Sequence, residues 1–191
     1  MKELYYKVVR DPVYSEVFLS PLEIIISDTP NMQRLRYLSQ LVGAEYVYPS
    51  ATHTRFGHSV GVMHLSGLYA QHLYPYDYSK FRVLRLAGLM HDIGHGPFSH
   101  MFENLCNQDL GVSYKHESWT KRIVLEDKGV NSILKSVEID DFPQKIVGVY
   151  SKTITPYYLC DIISSQLDVD RFDYLLRDTH MTGARYGNFD Q

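Results

Sequence analysis

The sequence predicts a mostly α fold with minor strand or extended segments, and three observations carry that expectation. Apolar residues recur at helical spacing along two runs, Val62, Leu65, Leu68, Tyr69 and Leu73 in one and Leu84, Leu86, Leu89 and Met90 in the other. Helix start signals stand at Ser20-Pro21-Leu22-Glu23, a capping box with Pro at the first helical position, and at Thr29-Pro30. Finally, 191 residues with 45% hydrophobic and 21% charged side chains, free of repeats and low-complexity tracts, are enough for one domain with a substantial core.

In chain order, the first helix opens at Ser20-Pro21. The second opens at Thr29-Pro30 and carries Gln33, Arg36, Tyr37 and Gln40, with Leu35, Leu38 and Leu41 as its buried stripe. The segment from Gly43 to Ser50, with Glu45-Tyr46-Val47-Tyr48-Pro49, reads as short and extended. A third helix runs from Arg55 to Leu73 and a fourth from Phe81 to His91; others begin near Pro97, Tyr114, Phe142 and Leu167. The last places Asp170, Asp173, Tyr174 and Arg177 on one side and Phe172, Leu175 and Leu176 towards the other.

Nineteen Lys and Arg against twenty-two Asp and Glu leave a net charge of −3, the wrong sign for wrapping long nucleic acid by counterion release. The arginines at 34, 36, 55, 82, 85, 171, 177 and 185 read mostly as solvated helix faces, with Arg55 and Arg171 set apart by their neighbours. Cys106 and Cys160 lie far apart without a CxxC pattern, which predicts buried, reduced thiols. No apolar run is long enough to span a bilayer, and Met1 leads directly into Lys-Glu-Leu-Tyr-Tyr without a leader pattern, so the expectation is a cytoplasmic protein with no membrane partner.

Chemistry concentrates in Leu89-Met90-His91-Asp92-Ile93-Gly94-His95-Gly96-Pro97-Phe98-Ser99-His100. An adjacent His-Asp pair at a helix end can turn an imidazole and a carboxylate toward one cation, and the neighbouring glycines allow close approach. His58 is the upstream candidate, three positions after Arg55 and on the same helical face. Downstream, the residues alone favour capping or ion pairing for Asp168 and Asp173; an Asp173–Arg177 pair at i, i+4 is worth about 0.2–0.5 kcal/mol on an exposed helix. His53, His64, His72 and His180 carry no motif and read as surface or packed residues.

Five ordered blocks resemble a family. Gln33-Arg34-Leu35-Arg36-Tyr37, Thr54-Arg55-Phe56-Gly57-His58-Ser59, His91 to His100, His116-Glu117, and Asp168-Val169-Asp170-Arg171-Phe172-Asp173-Tyr174 are similar to the HD superfamily of metal-dependent phosphohydrolases, and within it to the dNTP triphosphohydrolase branch that includes bacterial dGTPases. The resemblance implies an HD-domain helical bundle around a metal site, with His58, His91, Asp92 and Asp170 as ligands. Two imidazoles and two carboxylates suit a divalent Mn, Fe, Zn, Ni or Co better than Ca, with Mg also in range. It implies hydrolysis at the α-phosphorus of a dNTP, releasing deoxynucleoside and inorganic triphosphate. His100 becomes the acid for the leaving oxygen and Glu103, where relatives more often carry Asp, its orienting carboxylate. His95 and His116, with Glu117, line the phosphate side; Arg55 and Arg171 hold phosphate oxygens; Gln40, Tyr174 and Asp178 contact sugar or base. Arg171 replaces the usual lysine and Gly57 an acidic residue, so the grip on substrate differs.

Residues 1–191 are read as one HD domain that stops where relatives continue into further helices, either a minimal member or a shortened chain. Relatives place nucleotide-responsive groups at positions matching Asp28 and Arg36, although Arg36 could equally brace its helix, and a homo-oligomer is an expectation of the resemblance. Two other readings stand beside the first: an HD phosphohydrolase acting on another phosphate ester (a nucleoside monophosphate, cyclic dinucleotide or alarmone), and a non-enzymatic nucleotide-binding module.

Overall fold

The computed structural model describes residues 7–187 and 189. An antiparallel hairpin of β1 (Lys7–Asp11) and β2 (Ser15–Leu19), in register from Lys7 opposite Leu19 to Asp11 opposite Ser15, precedes the helices. They follow as α1 (Pro21–Ser27), α2 (Pro30–Gln33), α3 (Arg55–Leu73), α4 (Tyr78–Met90), α5 (His100–Asn104), α6 (His116–Glu126), α7 (Lys128–Lys135), α8 (Phe142–Tyr150), α9 (Tyr158–Ile163) and α10 (Val169–Thr182). The mostly α expectation holds.

Local chemistry sets the helix ends. The Ser20 hydroxyl accepts from the Glu23 amide and Glu23 accepts from the Ser20 amide, closing the capping box on α1. Asp77, Asp127 and Asp168 accept from the amide three residues on and cap α4, α7 and α10, each cap worth about 1 kcal/mol. Gly183, at φ +75°, ends α10 in the left-handed region that a Cβ disfavours.

Two expectations are corrected. The strands lie at residues 7–19, not between Gly43 and Ser50, which instead fold into a 3-10 turn at Ala44–Tyr46. The helix opened by Thr29-Pro30 lasts four residues, tightens into a 3-10 turn at Arg34–Tyr37 and stops before Leu38, so Gln40 lies outside it. An isolated bridge between Ser39 and Thr54 then turns the chain into α3.

The core forms where α3 and α4 pack side by side, with α8 against α4 and α10 against α3. Val62, Met63, Leu86, Leu89 and Met90 are fully or almost fully buried at the first junction. The other residues of the α3 stripe do not join it: Leu68, Tyr69 and Leu73 remain exposed. The helices meet closely because Gly61 has no side chain; a Cβ there would lie 1.8 Å from Asp173 Oδ1 and 2.4 Å from an Arg177 nitrogen. Cys106 and Cys160 are buried free thiols, as expected.

Several arginines depart from the solvated-face reading. Arg85 is 3% exposed and pairs with buried Glu23 at 2.6 Å. Arg177 is 2% exposed, between Asp173 and Asp11 of the hairpin. Arg34 donates to the carbonyls of Ile93 and His95 and so braces the loop after α4. Arg36 accepts the bracing role: it donates to Gln33 and lies 3.6 Å over the Phe56 ring. With Asp28 it also lines a cleft of about 440 Å³ between the hairpin and α3.

Candidate metal centre

Four donors from three helices converge. His58 projects from the first turns of α3, His91 caps the C-terminus of α4 with Asp92 next to it, and Asp170 sits in the first turn of α10. His58 Nε2 lies 3.2 Å from His91 Nε2 and 3.0 Å from Asp170 Oδ1. Asp92 closes the cup, with Oδ1 3.4 Å from His91 Nε2 and Oδ2 3.9 Å from His58 Nε2.

The back of each imidazole is held. His58 Nδ1 lies 2.8 Å from Asp173 Oδ2, and His91 Nδ1 lies 2.7 Å from the Gly88 carbonyl. A carbonyl accepts only, so His91 carries its proton on Nδ1 and turns the Nε2 lone pair into the cup; the Asp173 carboxylate does the same for His58. Two ring nitrogens 3.2 Å apart match donors that share one ion at about 2.1 Å each. The residues therefore fit a divalent cation with open positions. Burial disfavours a charged His58, but hydrogen bonds to Asp170 and then Asp173 hold its pKa up at about 10, a proton that a bound cation would replace. Burial also works against the Asp92 carboxylate, and His91, Arg55 and His95 together outweigh it and hold the group well below the usual range.

A second cluster adjoins the cup. His95 Nε2 lies 3.3 Å from Asp92 Oδ1, and its ring stacks on His116 at 3.8 Å. Burial is the main reason that the His95 pKa falls, which leaves its ring neutral. Glu103 joins the other two histidines, with Oε2 3.2 Å from His100 Nδ1 and Oε1 2.8 Å from His116 Nδ1. Burial raises the Glu103 carboxyl, but the His116 backbone and then the His116 and His100 rings hold it at about 2. The longer glutamate thus spans both rings. His100 itself, at 72% side-chain exposure, stands on the rim, where it can meet a ligand entering from solvent.

The remaining candidates divide. Arg55 is buried and donates to Asp92 and to the Ser99 hydroxyl, with Phe98 and Ser99 both at positive φ where the loop bends over it. Arg171 does not reach the cup: half exposed, it turns back to the Ser165 carbonyl at 3.3 Å and towards Asp168. Tyr174 is half-buried on α10, between Asp170 and Asp178. Asp178, two helical turns and about 12 Å along α10 from Asp170, pairs with His53 at 2.7 Å. The Gln40 backbone N–H donates to the His53 carbonyl, so Gln40 and Asp178 gather around a histidine that carried no motif. Two buried atoms there, Gln40 Oε1 and His53 Nδ1, have no hydrogen-bond partner among the described residues.

Sequence reasoning missed the combined role of Asp173. The i, i+4 pair with Arg177 forms, at 2.9 Å through both carboxylate oxygens, but the same carboxylate also orients His58 and accepts from the Tyr14 hydroxyl. The available signal was its place on the polar face of α10, one turn from Asp170.

A helical domain whose α3, α4 and α10 present this ordered His, His-Asp, Asp set belongs to the HD domain family, which matches residues 55–178 and contains all four donors. Among individual proteins, the chain is 38% identical over 189 residues to the uncharacterized protein YwfO of Bacillus subtilis, covering 96% of this chain and 42% of that one. It is 35% identical over 218 residues to the human deoxynucleoside triphosphate triphosphohydrolase SAMHD1, covering 96% of this chain and 34% of that one. A hypothetical protein from Aquifex aeolicus superposes with a TM-score of 0.82 at 35% identity, over 96% of this chain and 48% of that one. The chain thus spans less than half the length of each of these relatives. No helix among the described residues is long and apolar enough to cross a membrane.

Proposed function

We propose that this chain is a metal-dependent phosphohydrolase whose substrate is a deoxynucleoside triphosphate, split at the α-phosphorus into deoxynucleoside and inorganic triphosphate. The observation that carries the reading is the convergence of His58 Nε2, His91 Nε2, Asp92 and Asp170 with both Nδ1 atoms tied from behind. Identity to SAMHD1 proteins supports the choice of substrate.

A divalent cation in the cup would supply Lewis acidity, bringing the pKa of water towards about 7 and neutralising charge on the attacked phosphate. Arg55, pinned by Asp92 and Ser99, is placed to hold a phosphate oxygen beside it. His95, kept neutral, offers an imidazole to the same wall. The Glu103 carboxylate lies against the His100 and His116 rings and orients them, and His100 delivers a proton to the leaving 5′-oxygen, a role worth about 10² to 10⁴ in rate. Sugar and base would extend along α10 past Tyr174 towards Asp178, which meets Gln40 through His53.

One observation favours a different phosphate ester: Arg171 is committed to the loop before α10 rather than to the cup. Incubation with Mn²⁺ and each dNTP, with products separated by ion exchange and His91→Ala as control, decides between them. Triphosphate plus deoxynucleoside, absent with the variant, supports the first reading. Turnover only of monophosphates, cyclic dinucleotides or alarmones selects the second.

A further inference from the structure

His100, Glu103 and His116 gather beside the cup and contribute none of its four donors. His100 opens α5, Glu103 follows one turn later, and His116 opens α6. One ligand atom from each residue lies within 4.8 Å of the others. His100 Nδ1 and His116 Nδ1 both face the Glu103 carboxylate, at 3.2 and 2.8 Å, each opposite its own oxygen.

Two imidazoles and one carboxylate are a zinc-type ligand set, in which three protein donors leave a fourth position to water. Donors about 2.1 Å from a tetrahedral ion stand about 3.4 Å apart, close to the spacing already present. Glu103 Oε1 also accepts from the His116 amide, and a carboxylate oxygen keeps a second lone pair for an ion. Glu103 and His116 are half-buried and hold one side of the site, while exposed His100 can adjust and leaves an entrance from solvent.

A buried atom beside the triad also lacks a partner. His95, 2% exposed, stacks on His116 and meets the His100 ring edge-on at 5.6 Å. Its Nε2 faces Asp92, and its Nδ1 has no hydrogen-bond partner among the described residues. With the proton on Nε2, the Nδ1 lone pair is an acceptor without a donor, which water carried by a cation supplies. The other triad on this wall, Asp92 with His95 and His116, is less suited, because the Asp92 oxygens already face His91, His95 and Arg55.

We propose that His100, Glu103 and His116 form a second, zinc-binding site that inhibits the chain when filled. The cup has four donors and fills first. A second ion takes His100 Nδ1 and the carboxylate that orients it, so this imidazole no longer delivers a proton to the leaving oxygen. The inhibitory consequence rests on the phosphohydrolase reading above; the binding does not.

Equilibrium dialysis of the full chain against graded Zn²⁺, with bound zinc counted by atomic absorption, tests the site. The wild type should bind one zinc tightly and a second at higher concentration. His100→Ala, at an exposed position that folding does not depend on, should weaken the second by about 10-fold or more and leave the first unchanged, and Glu103→Gln should do the same. In dNTP turnover supported by Mn²⁺, inhibition by Zn²⁺ should appear at the concentrations that fill the second site and persist when Mn²⁺ is raised. A single zinc in the wild type, or a second whose affinity is unchanged in both variants, overturns the site; inhibition that Mn²⁺ relieves, or none, overturns its inhibitory role. The two proposals fail separately. A second zinc that depends on His100, without dNTP turnover, removes the reaction and leaves the site; turnover with a single zinc removes the site and leaves the reaction.

Discussion

Asp173 Oδ2 lies 2.8 Å from His58 Nδ1, and the same carboxylate is gripped by Arg177, which also donates to Asp11 in the β-hairpin. The orientation of the His58 imidazole is therefore anchored through a buried chain of charges to the start of the described fold. Burial opposes ionisation of Asp173, but the hydrogen bonds from His58 and Arg177 overcome it and hold the carboxyl low.

Asp173→Asn should weaken this anchor without removing its bulk. Loss of a partner behind a ligating histidine typically lowers metal affinity by about 10- to 100-fold. Titration calorimetry with Mn²⁺ measures it; an unchanged affinity would show that His58 is oriented by packing alone.

Gly61→Ala should break the same anchor from the other side. Its Cβ would fall 1.8 Å from Asp173 Oδ1, so the pair must shift or α10 must move away from α3. Overpacking of this kind costs about 1–3 kcal/mol. Urea denaturation would show a lower midpoint, and Mn²⁺ binding should fall with it.

Glu103→Gln should show its effect in the pH dependence of stability. The folded carboxyl sits at about 2, below its ordinary 4.5, so the charged form stabilises the fold. That contribution is complete above pH 4.5 and is lost as pH falls through 2. Allowing for screening at a partly exposed site, it amounts to roughly 1–2 kcal/mol. Denaturation series from pH 6 down to 2 should show the wild-type advantage shrinking; a gap that stays constant would contradict the assignment.

Glu23→Ala should be among the most damaging substitutions far from the cup. It removes the α1 capping box and leaves the buried Arg85 guanidinium without its carboxylate. Breaking a buried pair costs about 3–5 kcal/mol. Arg122→Ala, whose partner Glu126 is equally exposed, should change stability by only about 0.3–0.5 kcal/mol. Comparing the two midpoints in urea is the test.

Much of the molecule was legible because its signals are local. The capping box at Ser20, the helix from Arg55 to Leu73 and the His91-Asp92 break each depend on neighbours within a few residues, and each forms where expected. The β-hairpin was not legible: Lys7 to Leu19 alternates poorly, and its pairing is supported by burial of Val17 and Leu19 in a core assembled from later helices. The short second helix misled for the opposite reason. Leu35 is buried as expected, but the bridge from Ser39 to Thr54 takes the chain away after Tyr37, so Leu38 and Leu41 lie outside the helix and are only partly buried.

By itself the sequence carried the helical class and, through its resemblance to a family, the expectation that His58, His91, Asp92 and Asp170 act together, because residue type and helical spacing are local properties. Only the tertiary structure decided which charges serve that chemistry. It turned Asp173 to the back of His58, sent Arg171 to a loop and joined His53 to Asp178. The reason is physical: a long polar side chain takes the partner that burial brings within about 3 Å, and that partner lies as far as 166 residues away along the chain, as Asp11 does from Arg177.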